Sequence, residues 1–442
     1  MNVADSQRVA SELEKLGYRA SQDAESADVI VLNTCVVRQS AEDKAYNRLM
    51  SLKSIKQARP DLVLGLMGCL VGVRDATPLQ KRFPFVDVFL PPSDPSNLVE
   101  LLYARNGHAP RDEAMMMERM ETEARYKLQD ADLILPAQQR GELVSAHVPI
   151  VYGCSHVCTF CIIPYRRGIE RSRSIGEIAA EVHSLVNQGV KEVTLLGQIV
   201  DRYGYDVPDG PRLSDLLRAV HDIDGLQRIR FLTSHPLYMT NELLDAVAAL
   251  PKVCEHIEVP VQSGDDEMLK KMKRGYTVDE YRALITRIRE RIPDANIATD
   301  IIVGMPGETE QQFLGTYDLL KELKLDVAHV AMFSPRPNTV AANWADDVPP
   351  EEKERRRQAI DELQAEIVSG INAKYLGQTI EVLVEDKNKN RWKGRTRTNK
   401  LVFFDASRDT REWKGKLANV EIDWTGPWSM IGKITDPTDH ND

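Results

Sequence analysis

The sequence predicts an α/β protein in three parts: an N-terminal parallel α/β domain, a central partial TIM-type barrel of six βα units, and a small C-terminal β-barrel. Apolar segments typical of strands alternate with helical segments as far as residue 333, which indicates parallel sheets covered by helices. After a long helix, the apolar period changes to two, which favours a small barrel of short strands. The predicted boundaries are 1–104 for the N-terminal domain, 105–142 for a charged, Met-rich linker, 143–373 for the central domain and 374–436 for the small barrel.

The composition excludes some classes of protein. No segment approaches the roughly 18 consecutive apolar residues of a membrane span, and the N-terminus lacks the apolar core of a signal peptide. Six cysteines in 442 residues do not form a disulfide framework, so we expect metal ligands in a reducing cytoplasm. The net charge of −10 argues against a protein that coats nucleic acid, but residues 375–434 carry 12 Lys and Arg against 8 Asp and Glu. A local basic region on an acidic chain is typical of a nucleic-acid contact.

The N-terminal domain places two cysteines at neighbouring strand ends. We predict helices over 5–17 and 40–58, and strands over 28–33, 62–68 and 85–90. Cys35 and Cys69 follow the first two strands, so both lie at the carboxyl edge of a parallel sheet, where such sheets bind ligands. The residues alone leave two interpretations open, a ligand site or two small buried side chains.

Three further cysteines, Cys154, Cys158 and Cys161, occupy a loop after a predicted strand at 147–153. Their C-x3-C-x2-C spacing supplies three thiolates, one fewer than a structural zinc ion or an ordinary 4Fe–4S cluster requires. A cluster held by three thiolates has one iron open for a small molecule. The alternatives are a zinc knuckle or unpaired thiols, although His156 is badly placed as a fourth zinc ligand.

The central barrel brings polar residues to the same end as this loop. Its other strands are predicted over 192–197, 228–234, 255–260, 298–304 and 327–333, with intervening helices such as 176–188 and 278–291. Gln198, Ser234, Gln262 and Asp300 lie at or near strand ends, where a TIM-type barrel binds its ligand. Each of them taken singly is equally well explained as a loop polar group or a helix cap. Cys254 precedes a strand, so we interpret it as a structural residue.

The C-terminal region combines a helix, short strands and a basic segment. An apolar stripe of Ile360, Leu363, Ile367 and Ile371 indicates that a helix over 351–375 packs on the barrel. Strands are predicted over 379–385, 400–404, 418–423 and 430–434. The segment 387–400, which joins the first two, contains seven basic residues, no acidic residue and one Trp, which favours RNA contacts over the alternative of a solvated hairpin. The RNA contacts predicted there and beside the cysteine loop are Lys387, Lys389, Arg391, Trp392, Lys393, Arg395, Arg397, Arg166 and Arg167.

The spacing of the three central cysteines resembles the signature of the radical S-adenosylmethionine (SAM) superfamily. The resemblance implies that these catalytic cysteines hold a 4Fe–4S cluster whose open iron binds SAM, and that electron transfer cleaves SAM to a radical. By the same resemblance, Gln198 matches the motif for the SAM amino group and Gln262 lies in the segment near the ribose. Ser234 and Asp300 are expected to contribute to the same cofactor site.

Further motifs resemble those of the methylthiotransferases, and among them the tRNA-2-methylthio-N6-dimethylallyladenosine synthases (MiaB type). They span nearly the whole chain and include Asn33-Thr-Cys35, Met67-Gly-Cys69, Thr159-Phe-Cys-Ile-Ile-Pro-Tyr165, Leu195-Leu-Gly-Gln198, Thr233-Ser-His-Pro236, Pro260-Val-Gln-Ser-Gly264 and Ser334-Pro-Arg-Pro337. The resemblance implies a second 4Fe–4S cluster, for which Cys35 and Cys69 are the second and third ligands, and a C-terminal TRAM domain that binds RNA. The family's first cysteine lies in a Gly-Cys-Gln-Met-Asn segment, and this sequence begins at the Met of that segment, so we expect the start codon to lie upstream.

The resemblance also implies a reaction. The expected enzyme replaces the C2 hydrogen of N6-isopentenyl-adenosine, beside the anticodon of tRNA, with a methylthio group. Its expected cofactors are two 4Fe–4S clusters and SAM, and its expected partners are tRNA and an electron donor such as flavodoxin or ferredoxin. We expect a cytoplasmic monomer with no membrane partner. Two alternatives remain open: a sibling enzyme that acts on N6-threonylcarbamoyl-adenosine or on a ribosomal protein aspartate, and a non-catalytic iron–sulfur protein that binds RNA.

Overall fold

The computed structural model describes residues 1–37, 39–105, 133–405 and 411–435. They form an N-terminal α/β domain, an open central barrel and a small closed barrel, which confirms the predicted fold class. Most of the predicted linker (residues 106–132) and the predicted final residue of the small barrel lie outside the described residues. Within these described ranges, no helix has both the length and the apolar character that crossing a bilayer requires.

The N-terminal domain is a three-stranded parallel sheet covered by helices. Its elements are α1 (Asn2–Lys15), β1 (Val29–Thr34), α2 (Gln39–Ala58), β2 (Val63–Gly68), α3 (Thr77–Arg82), β3 (Val88–Leu90) and α4 (Ser96–Arg105). The central strand β2 is buried at all six positions because helices cover both of its faces. Leu64 and Leu66 pack with α2 on one face, and Val63 and Met67 pack with α1 and α4 on the other.

The central domain is a partial barrel of six parallel strands. Its strands are β4 (Ser145–Pro149), the two-residue strands β5 (Val151–Tyr152) and β6 (Arg171–Ser172), β7 (Glu192–Leu196), β8 (Arg228–Leu232), β9 (His256–Glu258), β10 (Asn296–Val303) and β11 (Val327–Met332). β5 and β6 pair with each other in antiparallel fashion and flank the cysteine loop. The six longer strands form two sheets, β4-β7-β8 and β9-β10-β11, which a bridge between Ile229 and Val253 connects. Because all six are parallel, their carboxyl ends lie at the same end of the barrel, as the six predicted βα units require.

Helices cover the outside of this barrel. They are α5 (Ile163–Arg167), α6 (Ile175–Asn187), α7 (Leu213–His221), α8 (Asn241–Ala249), α9 (Asp266–Lys271), α10 (Val278–Arg291), α11 (Glu310–Leu323) and α12 (Pro350–Ala373). Ser174, Thr277 and Thr309 begin α6, α10 and α11 with capping boxes, which satisfy backbone N–H groups that a helix start leaves unpaired. On α12, Ile360 and Leu363 are buried in the barrel core, as the apolar stripe indicated.

The C-terminal domain is a closed barrel of five strands in the order β12-β13-β14-β16-β15. They are β12 (Thr379–Asn388), β13 (Arg391–Arg395), β14 (Leu401–Asp405), β15 (Leu417–Thr425) and β16 (Met430–Ile434). The sequence pattern predicted four of them and missed β13. Only Trp392 and Gly394 of β13 are buried, so its basic side chains hide the apolar alternation on which the prediction depends.

Candidate active site

The loop that carries Cys154, Cys158 and Cys161 lies between β5 and α5 at the open end of the barrel. Gly153 precedes it with φ +68°, and a Cβ there would collide with the carbonyl oxygen of Ile169, so the tight entry to the loop requires glycine. The Cys154 amide donates to the Gly168 carbonyl at 3.0 Å, and the Cys161 amide donates to the Cys158 carbonyl at 3.1 Å. These bonds hold the three thiols in one compact loop.

The surroundings of these thiols suit a negatively charged iron–sulfur cluster. Burial raises the pKa of Cys154 to about 12 and that of Cys161 to about 11, so both are protonated until a metal displaces the protons. Arg274 Nη1 lies 3.4 Å from Cys158 Sγ, and Arg274 Nε donates to Tyr276 Oη at 3.0 Å. Arg274 is buried, so its charge is available to balance thiolates at this position.

The donor set of three thiols fits a 4Fe–4S cluster. Among the described residues, no three His, Cys, Asp or Glu side chains are arranged to bind one metal ion. A zinc ion requires its ligands to meet at one point, whereas a 4Fe–4S cluster binds each thiolate through a different iron. Three separate thiols in one loop beside a buried guanidinium are therefore consistent with the cluster.

The structure brings Cys35 and Cys69 side by side at the carboxyl edge of the N-terminal sheet. β1 and β2 are paired so that Thr34 lies opposite Gly68, and the Cys69 amide donates to the Thr34 carbonyl at 3.1 Å. Burial raises the pKa of Cys69, while the nearby Arg167 guanidinium opposes this rise. A positively charged side chain therefore lies beside Cys69.

Arg167, at the end of α5, connects the two groups of cysteines. Its Nη2 lies 3.2 Å from Asp5 Oδ2 and donates to Asn2 Oδ1 at 2.8 Å. The adjacent Arg166 donates from Nη1 to the Leu70 carbonyl at 3.3 Å. Both arginines were predicted to contact RNA, but the structure places them between the N-terminal domain and the barrel. The sequence did not reveal this position, because their hydrogen-bond partners belong to segments far away in the sequence.

The predicted cofactor residues lie along the open end of the barrel. Gln198 is half-buried after β7, and the Oγ of Ser234 is buried without a hydrogen-bond partner among the described residues. Gln262, four residues after the end of β9, has φ +75°, and its backbone amide donates to the Asp300 carbonyl of β10 at 2.9 Å, so these two residues are neighbours. An unpartnered buried hydroxyl is the kind of group that a ligand satisfies.

Glu258 is a residue of this region that the sequence analysis did not select. Burial, together with the Asp300 carboxylate, raises the pKa of Glu258 to about 7. Its Oε2 accepts a hydrogen bond from the Thr233 amide at 3.2 Å. The signal in the sequence was a carboxylate near the end of an apolar strand, directly before Val259 and Pro260.

A neutral aromatic and histidine cluster lies against the cysteine loop. His156 Nε2 and Tyr238 Oη are 2.9 Å apart, and the rings of His156 and His235 are 4.6 Å apart. Burial lowers the pKa of His156 to about 4 and that of His235 to about 2, so both rings are neutral at physiological pH. Arg202 donates to Tyr238 Oη at 2.7 Å and to Glu170 Oε2 at 2.8 Å. These side chains line one side of the cysteine loop. The sequence alone did not predict this cluster, and His156 was weighed only as a possible fourth ligand of a zinc ion.

Arg336, in the loop after β11, lies between the barrel and the N-terminal domain. Its Nη1 lies 3.3 Å from Gln39 Oε1 and from Glu42 Oε2, at the start of α2. The same loop meets the cysteine loop, where the Ala341 amide donates to the Thr159 carbonyl at 2.9 Å. The loop after β11 thus connects the start of α2, which follows Cys35, to the loop that carries the three central cysteines.

The small barrel presents its basic residues in two different settings. Lys387, Lys389 and Arg391 are exposed at the hairpin between β12 and β13, which we call the basic tip. Trp392 is only 6% exposed and packs in the barrel core, so its ring is not available to stack on a base. The remaining predicted RNA contacts bind acidic partners within the protein: Lys393 with Asp386, Arg395 with Glu385, and Arg397 with Glu255.

Three family descriptions match the chain in the order of its domains. The Uncharacterized protein family UPF0004 matches residues 1–91, the Radical SAM superfamily matches residues 148–320, and the TRAM domain matches residues 373–435. These matches coincide with the N-terminal sheet, most of the open barrel and the small closed barrel of the structure.

Relatives named tRNA-2-methylthio-N6-dimethylallyladenosine synthase match almost the whole chain. The one from Roseiflexus sp. (strain RS-1) is 47% identical over 438 residues, which cover 98% of this chain and 87% of that protein. The one from Herpetosiphon aurantiacus is 45% identical over 442 residues, or 99% of this chain and 96% of that protein. The one from Dehalococcoides mccartyi (strain ATCC BAA-2100 / JCM 16839 / KCTC 5957 / BAV1) is 45% identical over 98% of this chain and 96% of that protein.

Solved structures with low sequence identity share the fold. The radical SAM methyltransferase TsrM from Kitasatospora setae, solved with cobalamin and a 4Fe–4S cluster, aligns with a TM-score of 0.56 at 15% identity, over 77% of this chain and 74% of that one. The cobalamin-dependent radical SAM enzyme OxsB aligns with a TM-score of 0.51 at 12% identity, over 83% and 53%. At these identities the likeness concerns the arrangement of strands and helices alone.

Proposed function

The chain belongs to the tRNA-2-methylthio-N6-dimethylallyladenosine synthases, a radical SAM family, and we propose that it converts N6-isopentenyl-adenosine beside the anticodon of tRNA to the 2-methylthio derivative. The observation that carries the proposal is the position of Arg167, which contacts the Cys69 edge of the N-terminal sheet from the helix that follows the cysteine loop. A reaction that joins radical formation to sulfur delivery requires two such sites to be close together.

SAM and a 4Fe–4S cluster are the cofactors that the family implies, and the residues at the open end of the barrel fit both. When bound, the cluster supplies the electron that cleaves SAM, which permits hydrogen removal from a carbon that no side-chain base can deprotonate. Cys154, Cys158 and Cys161 are the proposed ligands. Arg274 would balance their charge, and the neutral rings of the histidine cluster would exclude water from that wall.

We assign the binding of SAM to the polar residues at the strand ends. Gln198, Ser234, Gln262 and Asp300 are the proposed contacts, as the sequence motifs suggested. Glu258 joins them as a carboxyl group whose pKa of about 7 allows it to donate or accept a hydrogen bond near neutral pH. The unpartnered Ser234 hydroxyl supports this assignment.

We further propose that Cys35 and Cys69 contribute to a second 4Fe–4S cluster, together with another ligand. Their adjacent positions at one sheet edge support the proposal, and so does the Arg167 guanidinium, which favours the thiolate form of Cys69. In this arrangement the Arg167–Asp5 ion pair lies where the helix after the cysteine loop meets the N-terminal domain, between the two proposed cluster sites.

The substrate tRNA would bind through phosphate contacts to the basic tip. Lys387, Lys389 and Arg391 are exposed there, and among the described residues none of the three has an acidic partner within ion-pair distance. Lysine and arginine contacts of this kind give affinity without reading sequence. A flavodoxin or ferredoxin as electron donor, a monomeric state and a cytoplasmic location belong to the same proposal.

Nucleoside analysis of a strain that lacks the gene tests the proposed function. We expect tRNA from that strain to accumulate N6-isopentenyl-adenosine and to regain the methylthio derivative when the gene is restored. The control is the same complementation with a Cys158→Ala gene, which should fail. A defect in N6-threonylcarbamoyl-adenosine or in a ribosomal protein aspartate would instead identify a sibling enzyme, and unchanged nucleosides and ribosomal protein would favour a non-catalytic RNA-binding protein.

A further inference from the structure

The turn between β13 and β14, residues 396–400, docks against the central barrel at the end opposite the cysteines. Two arginines of β8 hold it through backbone contacts. Arg230 Nη1 donates to the Arg397 carbonyl at 2.7 Å, and Arg230 Nη2 donates to the Thr396 carbonyl at 2.7 Å. Arg228 Nη1 donates to the Arg395 carbonyl, also at 2.7 Å. Three consecutive carbonyl groups of the small barrel are therefore bound by one strand of the central barrel.

The two arginines are themselves fixed in place. Arg228 is 1% exposed and forms an ion pair of 2.8 Å with Glu381 on β12. Arg230 is 4% exposed, and its Nε donates to Glu192 Oε2 on β7 at 2.9 Å. Because buried charge-assisted hydrogen bonds are short and directional, this contact sets an orientation as well as an attachment.

The small barrel returns an equivalent contact from its own side. Arg397 donates to the carbonyl groups of Pro251 and Val253 at 2.7 Å each, and its Nε lies 2.9 Å from Glu255 Oε2. Lys400 adds an ion pair of 3.0 Å with Asp326. Each barrel thus binds the backbone of the other through buried or half-buried cations, so rotation of either one would break several hydrogen bonds at once.

This docking site and the reaction centre lie at opposite ends of the same strand. Arg228 begins β8, and Ser234 lies two residues after Leu232, the last residue of β8, at the open end of the barrel. At about 3.3 Å per residue, the six steps from Arg228 to Ser234 span at most roughly 20 Å. RNA that is held on the small barrel is therefore positioned relative to the cysteines through one rigid strand.

We propose that Arg228 and Arg230 are positioning residues that fix the small barrel so that the target nucleotide of a bound tRNA reaches the cysteine loop. The inference rests on the proposed function and adds to it a physical route from RNA binding to chemistry. We call the contacts of Arg228 and Arg230 with the small barrel the clamp. Without the clamp, the basic tip would still bind RNA and the open end of the central barrel would still bind SAM, but the distance between these two sites would no longer be fixed. A displacement of about 1 Å can cost on the order of a hundredfold in rate.

The test uses the full chain, reconstituted anaerobically with iron and sulfide, together with SAM, a chemical reductant, a sulfide source and tRNA that carries N6-isopentenyl-adenosine. Three quantities are measured: 5′-deoxyadenosine release without RNA, the Kd for tRNA, and methylthio product formed per 5′-deoxyadenosine released with RNA. For Arg230→Met we expect the product ratio to fall by at least about tenfold, with the other two quantities within about twofold of the wild type. The matched control is Arg218→Met, an exposed arginine on α7 with surface ion pairs only, for which all three should be unchanged.

Arg397→Met removes contacts between the same two barrels from the side of the small barrel, where the Arg397 side chain is half-buried. This variant replaces Arg230→Met in the test if Arg230→Met does not fold. An unchanged product ratio in a folded variant would overturn the proposal. An equal loss of RNA-free SAM cleavage and of product would also overturn it, because that result indicates general damage to the barrel. Failure of the wild type to form any methylthio product would instead refute the proposed function, so the two failures are distinguishable.

Discussion

Arg167 and Asp5 form a buried ion pair of 3.2 Å that joins the helix after the cysteine loop to the first helix of the N-terminal domain. Their side chains are 4% and 0% exposed, and Cys69 lies beside the guanidinium. Asp5 also accepts a hydrogen bond from Ser93 at 2.5 Å. The Arg167 guanidinium of the central domain, which lies beside Cys69, is thereby held in place by Asp5 of the N-terminal domain.

Asp5→Ala should destabilise the protein strongly. It leaves the Arg167 guanidinium buried without its carboxylate, and loss of one partner of a buried pair typically costs about 3–5 kcal/mol. Denaturant unfolding of the two proteins measures the difference. Asp28→Ala provides the control, since Asp28 is 79% exposed in its ion pair with Arg59 and such pairs contribute at most about 1 kcal/mol. Equal effects of the two substitutions would show that the Arg167 pair is not isolated from water.

Arg274→Met should lower the reduction potential of the cluster held by the cysteine loop. The guanidinium contacts Cys158, and removal of a buried positive charge disfavours the state that has gained an electron. We expect a shift of roughly 60 mV or more, equivalent to about 1.4 kcal/mol for one electron. A redox titration followed by electron paramagnetic resonance gives the value. Arg274→Lys retains the charge and should shift the potential less, and identical potentials in both variants would contradict this role.

Asp201 should make stability depend on pH. Its carboxyl group accepts hydrogen bonds from the His235 amide at 3.0 and 3.1 Å, and burial raises its pKa from the ordinary 3.8 to about 8. Between these values the folded protein keeps a proton that the unfolded chain has lost. The contribution of Asp201 to the free energy of unfolding therefore falls as pH rises, by at most about 1.4 kcal/mol per pH unit.

Asp201→Asn removes the titrating group and should flatten this dependence. Urea unfolding of both proteins from about pH 5 to pH 8 measures the slope that Asp201 contributes. Parallel curves for the wild type and Asp201→Asn would mean that the carboxyl group does not titrate in this range.

The basic tip should account for part of the salt dependence of tRNA binding. Replacement of Lys389 and Arg391 with Ala should weaken binding and reduce the slope of log K against log salt concentration by about 0.7–0.9 for each phosphate that the tip no longer neutralises. Lys433→Ala is the matched control, because Lys433 is an exposed lysine of the same barrel that pairs with Asp423 at 3.1 Å. A slope that is the same in all three proteins would exclude the tip from the RNA interface.

Features encoded by neighbouring residues were predictable from the sequence. The strands that precede Cys35, Cys69 and Cys154 are short apolar runs, and the cysteines follow them at once, so their positions at strand ends were read from local pattern alone. The fold class followed from the same alternation of strands and helices.

Features encoded by distant residues were not predictable. Arg167 bonds Asp5 across 162 positions, and Arg230 bonds the Arg397 carbonyl across 167. A basic residue beside a cysteine loop or in a basic segment looks the same in sequence whether it faces RNA or another domain. The burial of Trp392 was also not predictable. The basic residues of β13 hide its alternation of buried and exposed positions, so the sequence did not show that Trp392 faces the barrel core.

The most direct test of the account is the product formed in vitro by the reconstituted protein. The chain is incubated anaerobically with a reductant, a sulfide source, SAM labelled in its methyl group, and tRNA that carries N6-isopentenyl-adenosine, and the nucleosides are analysed by mass spectrometry. The account predicts a nucleoside in which a labelled methylthio group has replaced one hydrogen of the adenine. Release of 5′-deoxyadenosine from an iron-loaded protein with no methylthio nucleoside would contradict it.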